Sequence, residues 1–298
     1  MSLRLEMLQV ARLAPQVLGD SAGLVGEFVL GQLNPDGGFQ DRAGRSDLYY
    51  TVFGLECALA LQLPLPRERV AGYLTGFGDG HGLDFVHLSC LARCWAALGG
   101  DFHAARPHLI RQRLEGFRAQ DGGYSHVAGA RDGTAYGCFL AWGTAQDLRQ
   151  PAPPAADLLR CLDSLRTPEG VWSNARAADG SAAGIGAALA TAAAVTVLRQ
   201  VGESIETRVG RWLLDQAHPQ GGFIAAPGAP LPDLLSTATV LHALAGMQVP
   251  FTAMRESCLD FIDTLWVNTG AFHGHWADDH TDCEYTFYAL LALGHLSL

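Results

Sequence analysis

The chain has 298 residues, of which 49% are hydrophobic and 17% are charged, and its formal net charge is −10. That length is enough to bury a substantial core, and the acidic balance argues against a nonspecific nucleic-acid binder, which needs a basic face. The first residues lack the apolar stretch of a secretory signal, and no apolar run is long enough to predict a membrane span.

Glycine-containing turns recur along the chain, about 42 to 51 residues apart, and each is followed by a polar stretch and then an apolar run. The six turns begin at Gln32, Gly76, Gln120, Thr167, His218 and Asn268. A period of this size is typical of a repeat architecture in which each repeat is one supersecondary unit.

Each turn separates two predicted helices. In the first repeat, a helix over 25–33 ends at the Asn-Pro-Asp-Gly-Gly turn, and a second helix over 47–61 begins with Ser46 or Asp47 as its N-cap. The later second helices are predicted to begin near Asp84, Gly133, Ala182, Asp233 and Asp282. They are rich in alanine, leucine and small residues, which is typical of helices buried nearly all round.

The first helices of the repeats carry more arginine, glutamate and glutamine, so we expect them to be amphipathic and to lie outside. The predicted outer helices after the first repeat are 107–118, 156–166, 206–216 and 255–266. An inner ring of buried helices within an outer ring defines an all-α protein, an α/α toroid of about six helical hairpins. Because the repeats run nearly end to end, we expect one domain over residues 1–298.

The seven cysteines are scattered, odd in number and mostly placed in apolar runs. This pattern favours buried free thiols in a reducing compartment, and we therefore expect a cytoplasmic protein. There is no Cys-x-x-Cys pair, which argues against a structural zinc finger.

The turns and the helices that follow them are similar to the repeat of prenyltransferases and squalene cyclases. In particular, the chain resembles the β subunit of protein prenyltransferases of the Rab geranylgeranyl transferase type. The segments that carry the resemblance are Gly37–Leu55, Thr134–Ala141 and Asp282–Leu293. The resemblance implies an α6–α6 barrel that buries an isoprenoid chain in an aromatic cavity, with the diphosphate at a basic rim and a zinc ion that activates an acceptor thiol.

The same resemblance implies a set of catalytic and metal-binding residues. Asp47 corresponds to the zinc aspartate, His87 to the zinc histidine, and Tyr49 stands where the zinc cysteine is expected. Zinc lowers the pKa of a bound thiol so that a thiolate attacks at neutral pH. Cys283, in the repeat that a closed ring places beside the first, is a candidate third ligand. Cys90, one turn after His87, is another.

A second alignment of the motif uses the last repeat and the first. It places Asp282, Glu284 and Tyr50 on the three zinc ligands and fits less well. The alternative to zinc is that Asp47 caps its helix and His87 is a hydrogen-bonded polar residue in the pore.

Arg42 and Arg45 correspond, with an offset of about one position, to the basic residues that hold the diphosphate in the resembled family. Guanidinium groups match phosphate geometry with paired hydrogen bonds. The alternative is a solvated loop in which Arg45 pairs with Asp41 or Asp47. Aromatic residues near the starts of inner helices are candidates for isoprenoid binding, or else ordinary core. The principal ones are Tyr50, Tyr136, Trp142 and Tyr285.

The segment 278–282 reads Asp-Asp-His-Thr-Asp, a pattern that binds magnesium and diphosphate in isoprenoid synthases. The alternative is a solvated acidic loop in which Asp282 is an N-cap. The Asp-x-Asp-Asp motif that supplies the acid of squalene–hopene cyclases is absent, which argues against cyclisation started by protonation.

The sequence therefore predicts a prenyltransferase-like enzyme that transfers a prenyl group from an isoprenoid diphosphate to an acceptor thiol on a peptide or small molecule, with zinc and possible assistance from magnesium. The alternatives are a terpene cyclase or synthase that uses the acidic loop, and a non-catalytic isoprenoid-binding toroid. Because closed symmetric dimers are the commonest oligomers, a homodimer is the expected assembly if the chain self-associates.

Overall fold

The computed structural model of the chain describes residues 1–99, 106–176 and 185–298. It is mostly helical. The helices are α1 (Leu3–Ala11), α2 (Pro15–Leu18), α3 (Ser21–Gly31), α4 (Leu48–Ala60), α5 (Arg67–Thr75), α6 (Phe85–Leu98), α7 (Pro107–Glu115), α8 (Ala135–Asp147), α9 (Ala155–Ser164), α10 (Ala188–Val201), α11 (Thr207–Leu214), α12 (Leu234–Gly246), α13 (Arg255–Thr264) and α14 (Cys283–Leu296). A 3₁₀ turn, Thr252–Met254, precedes α13, and a two-stranded antiparallel ribbon of β1 (Trp266–Val267) and β2 (Ala271–Phe272) follows it.

The even-numbered helices α4, α6, α8, α10, α12 and α14 form a closed inner ring. Each packs against the next, and α14 packs back against α4. The odd-numbered helices from α3 to α13 lie outside, each against an inner helix. Helix α11 shows why they stay outside, because it buries Val209 and Leu213 along one stripe and leaves Thr207 and Arg208 exposed. The predicted all-α toroid is confirmed.

The starts of α4, α10 and α12 are each fixed to the preceding turn by a threonine hydroxyl, that of Thr51, Thr191 or Thr237. Asp47 caps α4 by accepting hydrogen bonds from the amides of Tyr49 at 2.8 Å and Tyr50 at 3.2 Å. Thr51 Oγ1 then donates to the Asp47 carbonyl at 2.6 Å and accepts from the Phe39 amide at 2.9 Å. The turn and the helix are thereby held as one unit.

Close approach between a turn and an inner helix requires glycine at Gly137, in the first turn of α8. Its amide donates to Oγ1 of the N-cap Thr134 at 2.8 Å. A Cβ atom at this position would lie against the Tyr124 carbonyl group, with the carbonyl carbon 2.6 Å away. Backbone atoms cannot move aside as a flexible side chain can, so the turn and α8 approach this closely only without a side chain.

The first helix, α1, closes one end of the ring. It packs against the neighbouring inner helices α14 and α4 and also against α8, which α6 separates from α4 in the ring. The Leu3 amide donates to Gln146 Oε1 at 2.9 Å, near the end of α8, and the Val10 carbonyl lies against Gly294, near the end of α14. Helix α1 therefore covers the carboxyl ends of the inner helices. Sequence reasoning did not predict this helix.

Several predicted bounds shift by a few residues. The first outer helix spans Ser21–Gly31 rather than 25–33, and the third inner helix has Thr134 rather than Gly133 before its first turn. Helix α10 begins at Ala188, and its predicted start, Ala182, lies outside the described residues. All seven cysteines are buried and unpaired, as predicted. In the described parts of the chain, we find no helix long and apolar enough to cross a bilayer.

Candidate active site

A cavity of about 650 Å³ occupies the centre of the inner ring, within the usual size range of small-molecule sites. It opens at the amino ends of the inner helices, where the lining residues His126, Tyr136 and Asn174 are exposed to solvent. At the other end it is closed by Arg4 and Met7 of α1. The cavity is therefore a well with a mouth and a floor.

The lining follows a simple rule of helix geometry. On α4, α6, α10 and α12, positions two, five or six, and nine after the N-cap share the inward face, because 3.6 residues make one turn. The mouth layer contains Tyr49, Val86, Tyr136, Leu189 and Leu235. The middle layer contains Val52, Phe53, Ser89, Cys90, Phe139, Leu140, Ala192, Ala193, Thr239, Phe287 and Tyr288. The floor contains Glu56, Arg93, Thr196 and His242, together with Arg4, Thr144 and Asp147.

Aromatic rings form a belt of two groups on one side of the well, one on α4 and α14 and one on α8. The ring of Phe53 lies 5.0 Å from that of Tyr49, 5.9 Å from that of Phe287 and 5.5 Å from that of Tyr288, measured between centroids. Tyr136 and Phe139 continue the belt on α8. Aromatic faces attract cations, so this wall can stabilise a carbocation inside the well. The opposite wall, on α10, carries the small side chains Ala192 and Ala193.

The floor is a buried network of two arginines and two carboxylates. Arg4 Nη1 lies 3.3 Å from Glu56 Oε1, and Arg4 Nε lies 3.8 Å from Asp147 Oδ1. Arg93 Nε donates to Asp147 Oδ2 at 3.1 Å. Among the described residues, Glu56 Oε2 has no hydrogen-bond partner. Burial raises the pKa of Glu56 above its ordinary value, although Arg4 opposes the rise. Glu56 thus has one oxygen without a hydrogen-bond partner among the described residues, and burial favours the protonated form of the carboxyl.

Two histidines complete the floor on the side of α12. His242 Nδ1 lies 3.0 Å from His295 Nε2, so one of the two rings donates to the other. Burial lowers the pKa of His242 to about 4 and that of His295 to about 3, so the pair is uncharged at neutral pH. This arrangement adds polarity to the floor without adding charge.

At the mouth, the Tyr49 hydroxyl donates to Glu284 Oε1 at 2.6 Å. Tyr49 lines the well, and Glu284 lies behind it at the start of α14. Burial raises the pKa of Glu284 to about 7, and it also raises the pKa of Tyr49. The pair is therefore a tyrosine inside the well, hydrogen-bonded to a carboxyl that exchanges its proton near neutral pH.

Asp47 and His87 are brought together, as the sequence predicted for adjacent helix starts. His87 Nε2 lies 3.4 Å from Asp47 Oδ2, and His87 Nδ1 lies 2.9 Å from Oδ2 of Asp84, the N-cap of α6. Asp47 and Asp84 together raise the pKa of His87 to about 9. At neutral pH the imidazole is thus protonated and both of its nitrogens face carboxylates.

These donors do not fit a zinc ion. A histidine binds zinc through an unprotonated ring nitrogen that no other group occupies, whereas both ring nitrogens of His87 face carboxylates. Tyr49, which stands where the resembled family has cysteine, donates its proton to Glu284. Cys283 is fully buried, with a raised pKa, and its carbonyl faces Cys57. Across the three described ranges, no group of three or more histidine, cysteine or acidic residues is placed to hold a metal. We derive no step through zinc.

Arg42 and Arg45 do not line the well. Arg42 donates to Asp282 Oδ2 at 2.9 Å and lies 3.1 Å from Asp278 Oδ2, with its guanidinium 5.7 Å from the centroid of the Tyr285 ring. The Arg45 side chain is 80% exposed and pairs with Asp41 at 3.0 Å, which is the alternative that the sequence left open. Two carboxylates of the candidate magnesium loop are thus engaged by Arg42.

Of the aromatic residues predicted to bind an isoprenoid, Tyr136 lines the well. Tyr50, Trp142 and Tyr285 are partly buried but lie outside the lining. The residues that sequence reasoning missed are those of the floor, above all Glu56 and Arg93. Their signal was present in the sequence, as a charged residue nine positions after an N-cap in a helix otherwise made of buried residues.

A closed double ring of helices around an aromatic cavity that is closed at one end defines the class of this protein as an α/α toroid with an internal cavity. The family model described as the prenyltransferase alpha-alpha toroid domain matches residues 17–67 and 188–297. That is more than half of the chain, and the protein belongs to this family. A comparison with curated protein sequences gave no match.

Solved structures show the same fold at low sequence identity. The type II terpene cyclase MstE from Scytonema, in complex with its substrate geranylgeranyl dihydroxybenzoate, is 16% identical with a TM-score of 0.61, over 95% of this chain and 97% of that one. A protein from Actinoplanes is 16% identical with a TM-score of 0.62, over 93% and 98%. Candida albicans protein geranylgeranyltransferase-I, complexed with GGPP, is 13% identical with a TM-score of 0.54, over 96% and 81%.

Proposed function

We propose that this protein is a terpene-cyclase-like enzyme that folds an isoprenoid chain inside the aromatic well and starts its cyclisation by protonation from Glu56. The observation that carries this proposal is the position of the Glu56 carboxyl. It lies on the floor of an apolar cavity, with Oε2 unpartnered among the described residues and a raised pKa. In its protonated form, which burial favours, this carboxyl can donate its proton to a molecule that fills the cavity.

The chain enters with its terminal alkene towards the floor. The O–H bond of Glu56 breaks, a C–H bond forms at the terminal alkene carbon, and the adjacent carbon becomes a tertiary cation. The next double bond attacks that cation and closes a ring, while the aromatic belt stabilises the positive charge. Arg4, already on Oε1, stabilises the carboxylate that Glu56 becomes.

The cascade ends when the last cation loses a proton. Tyr49 is placed for this step, because it lies in the mouth layer and its hydroxyl is already bonded to Glu284. The phenol oxygen accepts the proton from carbon while its own proton passes to the Glu284 carboxylate. Glu284 then releases that proton to solvent and Glu56 regains one, so the net reaction is an isomerisation.

The type II cyclase whose fold this chain shares binds a geranylgeranyl compound, which supports an isoprenoid as the substrate. The acid of squalene–hopene cyclases is recognised by an Asp-x-Asp-Asp motif, which is absent here. Glu56 offers the same chemistry from another position, so the absence of the motif no longer argues against protonation.

The test is incubation of the purified protein with geranylgeraniol, squalene and geranylgeranyl diphosphate in D₂O, followed by mass spectrometry of the products. Protonation by an exchanged Glu56 predicts a cyclised product that carries one deuterium from solvent. A cyclised product without deuterium, formed with release of diphosphate, would instead indicate ionisation. If the compounds bind but all three are recovered unchanged, the protein is a non-catalytic isoprenoid-binding toroid.

Transfer of a prenyl group to a thiol is the second candidate. The observation that favours it is the pairing of Asp47 with His87 at adjacent helix starts, where the resembled family holds zinc. It would require a diphosphate substrate, an acceptor thiol, and a His87 that loses its proton to solvent so that a ring nitrogen could hold the metal. Formation of a thioether from geranylgeranyl diphosphate and a cysteine peptide, dependent on added zinc, would support this function over cyclisation. Homodimer formation stays a prediction.

A further inference from the structure

The structure describes every arginine of this protein. The chain contains no lysine, so its twenty basic residues are all arginine. A diphosphate head group carries several negative charges and needs cations that are open to it. The arginines near either end of the well therefore decide whether a diphosphate can be held.

At the mouth, each arginine already faces carboxylates. Arg42 lies between Asp278 and Asp282, and Arg45 pairs with Asp41. The other two mouth arginines, Arg131 and Arg176, lie 4.0 Å and 3.3 Å from Asp132. The remaining cation, His87, lies between Asp47 and Asp84.

Aspartates outnumber these cations around the mouth. They are Asp41, Asp47, Asp84, Asp132, Asp278, Asp279 and Asp282. The local field therefore repels an anion, in line with the net charge of −10 of the whole chain.

The floor offers no better place. Arg4 and Arg93 are the two arginines that line the well, and both face Asp147 there, with Arg4 also on Glu56. A diphosphate on the floor would be stripped of water and placed against the Asp147 carboxylate, which already faces both arginines. Burial of charge without a matching partner is strongly unfavourable.

Among the described residues, the polar side chains that line the mouth can form hydrogen bonds and include no arginine or carboxylate. They are the hydroxyls of Tyr49, Thr134 and Tyr136 and the amide of Asn174, together with His126. All four lining residues with formal charge, Arg4, Glu56, Arg93 and Asp147, are on the floor. The mouth is thus built to hydrogen-bond a head group rather than to neutralise one.

We infer that the substrate of this enzyme is an isoprenoid with an uncharged oxygen-bearing head group, such as an alcohol or phenol, and not a diphosphate. This inference rests on the proposed function, since it concerns the same well. It also differs from the family resemblance, which implies a basic rim that binds a diphosphate, because the arginines at the mouth already pair with carboxylates.

The experiment compares the binding of geranylgeraniol and geranylgeranyl diphosphate to the whole protein, by quenching of its intrinsic fluorescence at low salt. We expect the alcohol to bind at least about tenfold more tightly, and rising salt to narrow the difference, because salt screens the repulsion. Tighter binding of the diphosphate would overturn the head-group inference alone. If neither compound binds, the isoprenoid well itself is refuted, and the proposed function falls with it.

Two variants locate the effect. Asp278→Asn removes one of the two carboxylates on Arg42 and is expected to tighten diphosphate binding several-fold while leaving the alcohol unchanged. Asp263→Asn makes the same change of charge on the exposed side of α13, away from the mouth, and should alter neither affinity. Equal effects of the two variants would show that overall charge, rather than the mouth, sets the preference.

Discussion

The Tyr49 hydroxyl and Glu284 Oε1 lie 2.6 Å apart across the seam where the first inner helix, α4, meets the last, α14. The two residues are 235 positions apart in sequence. Their hydrogen bond therefore joins the ends of the ring, and it does so at the mouth of the well. The same contact contributes both to closure of the fold and to the proposed loss of a proton from the substrate.

Glu284→Gln is expected to change how stability depends on pH. The pKa of Glu284 is about 7 in the folded protein, above its ordinary 4.5, because of burial. The folded state thus binds the proton more tightly, so stability falls as pH rises from about 4.5 to 7 and then levels off, by at most about 3 kcal/mol. Urea unfolding at pH 5 and pH 8 measures the free energy of unfolding of both proteins. Relative to the parent protein, the variant should be more stable at pH 8 than at pH 5. An equal difference at both pH values would contradict the assignment.

Glu56→Gln tests the proposed acid. The amide keeps the shape of the side chain but cannot protonate an alkene, so we expect cyclisation to fall by a factor of about 10² to 10⁴. Binding of geranylgeraniol should persist, because the aromatic belt is untouched. Glu68→Gln, an equal change on the exposed side of α5, is the control. Full activity of the Glu56 variant would show that another group supplies the proton.

Asp47→Asn is expected to lower the pKa of His87 from about 9 towards its ordinary 6.5, because its largest stabilising partner loses its charge. Asparagine is also a good N-cap, so α4 should keep its start. The stability that protonated His87 adds is present below about pH 6.5 and lost as pH rises through 9. Titration of the imidazole by NMR measures both values. A pKa that does not move would show that Asp84 alone holds the proton.

The purified protein is expected to contain much less than one zinc ion per chain. The reason is that His87 is protonated at neutral pH and that the described residues provide no third ligand beside it. Elemental analysis of protein purified without chelators measures this directly. If the protein holds stoichiometric zinc and Asp47→Ala removes it, the mouth is a metal site, and zinc-dependent prenyl transfer is favoured over cyclisation.

Gly137→Ala is expected to destabilise the fold by about 1 to 3 kcal/mol, since the added Cβ atom meets the backbone of Tyr124. Gly72→Ala is the matched control, in the outer helix α5, where nothing lies within 4 Å of the added atom. There the same substitution should stabilise by about 0.5 to 1 kcal/mol. Chemical denaturation compares the two, and equal effects would show that close approach is not the cause at Gly137.

Much of the fold could be predicted because its signals are local. The turn, the N-cap and the small-residue helix that follow one another around Asp47 are written within some twenty residues, and they recur in later repeats. The closed ring then follows from repetition. The inward face of α4 also follows from its N-cap, because Tyr49, Phe53 and Glu56 lie at helical spacings after Asp47.

The electrostatics of the site could not be predicted in the same way. Arg42 pairs with Asp278 and Asp282, 236 and 240 positions away, and no local pattern indicates such partners. Read alone, Arg42 and Arg45 suggested an open basic rim. Helix α1 was missed for a related reason, because it lies before the first repeat and has no counterpart within the period.

Helix α1 links the proposed acid to closure of the ring. It carries Arg4, which contacts both Glu56 and Asp147, and it rests on α14, the last inner helix of the ring. The base of the barrel is therefore closed by a helix from outside the repeats, and Glu56 gains its contact with Arg4 only when that helix is in place. Removal of residues 1–11 is expected to open the cavity at both ends. A longer hydrocarbon could then extend through it, and Glu56 would lose its contact with Arg4.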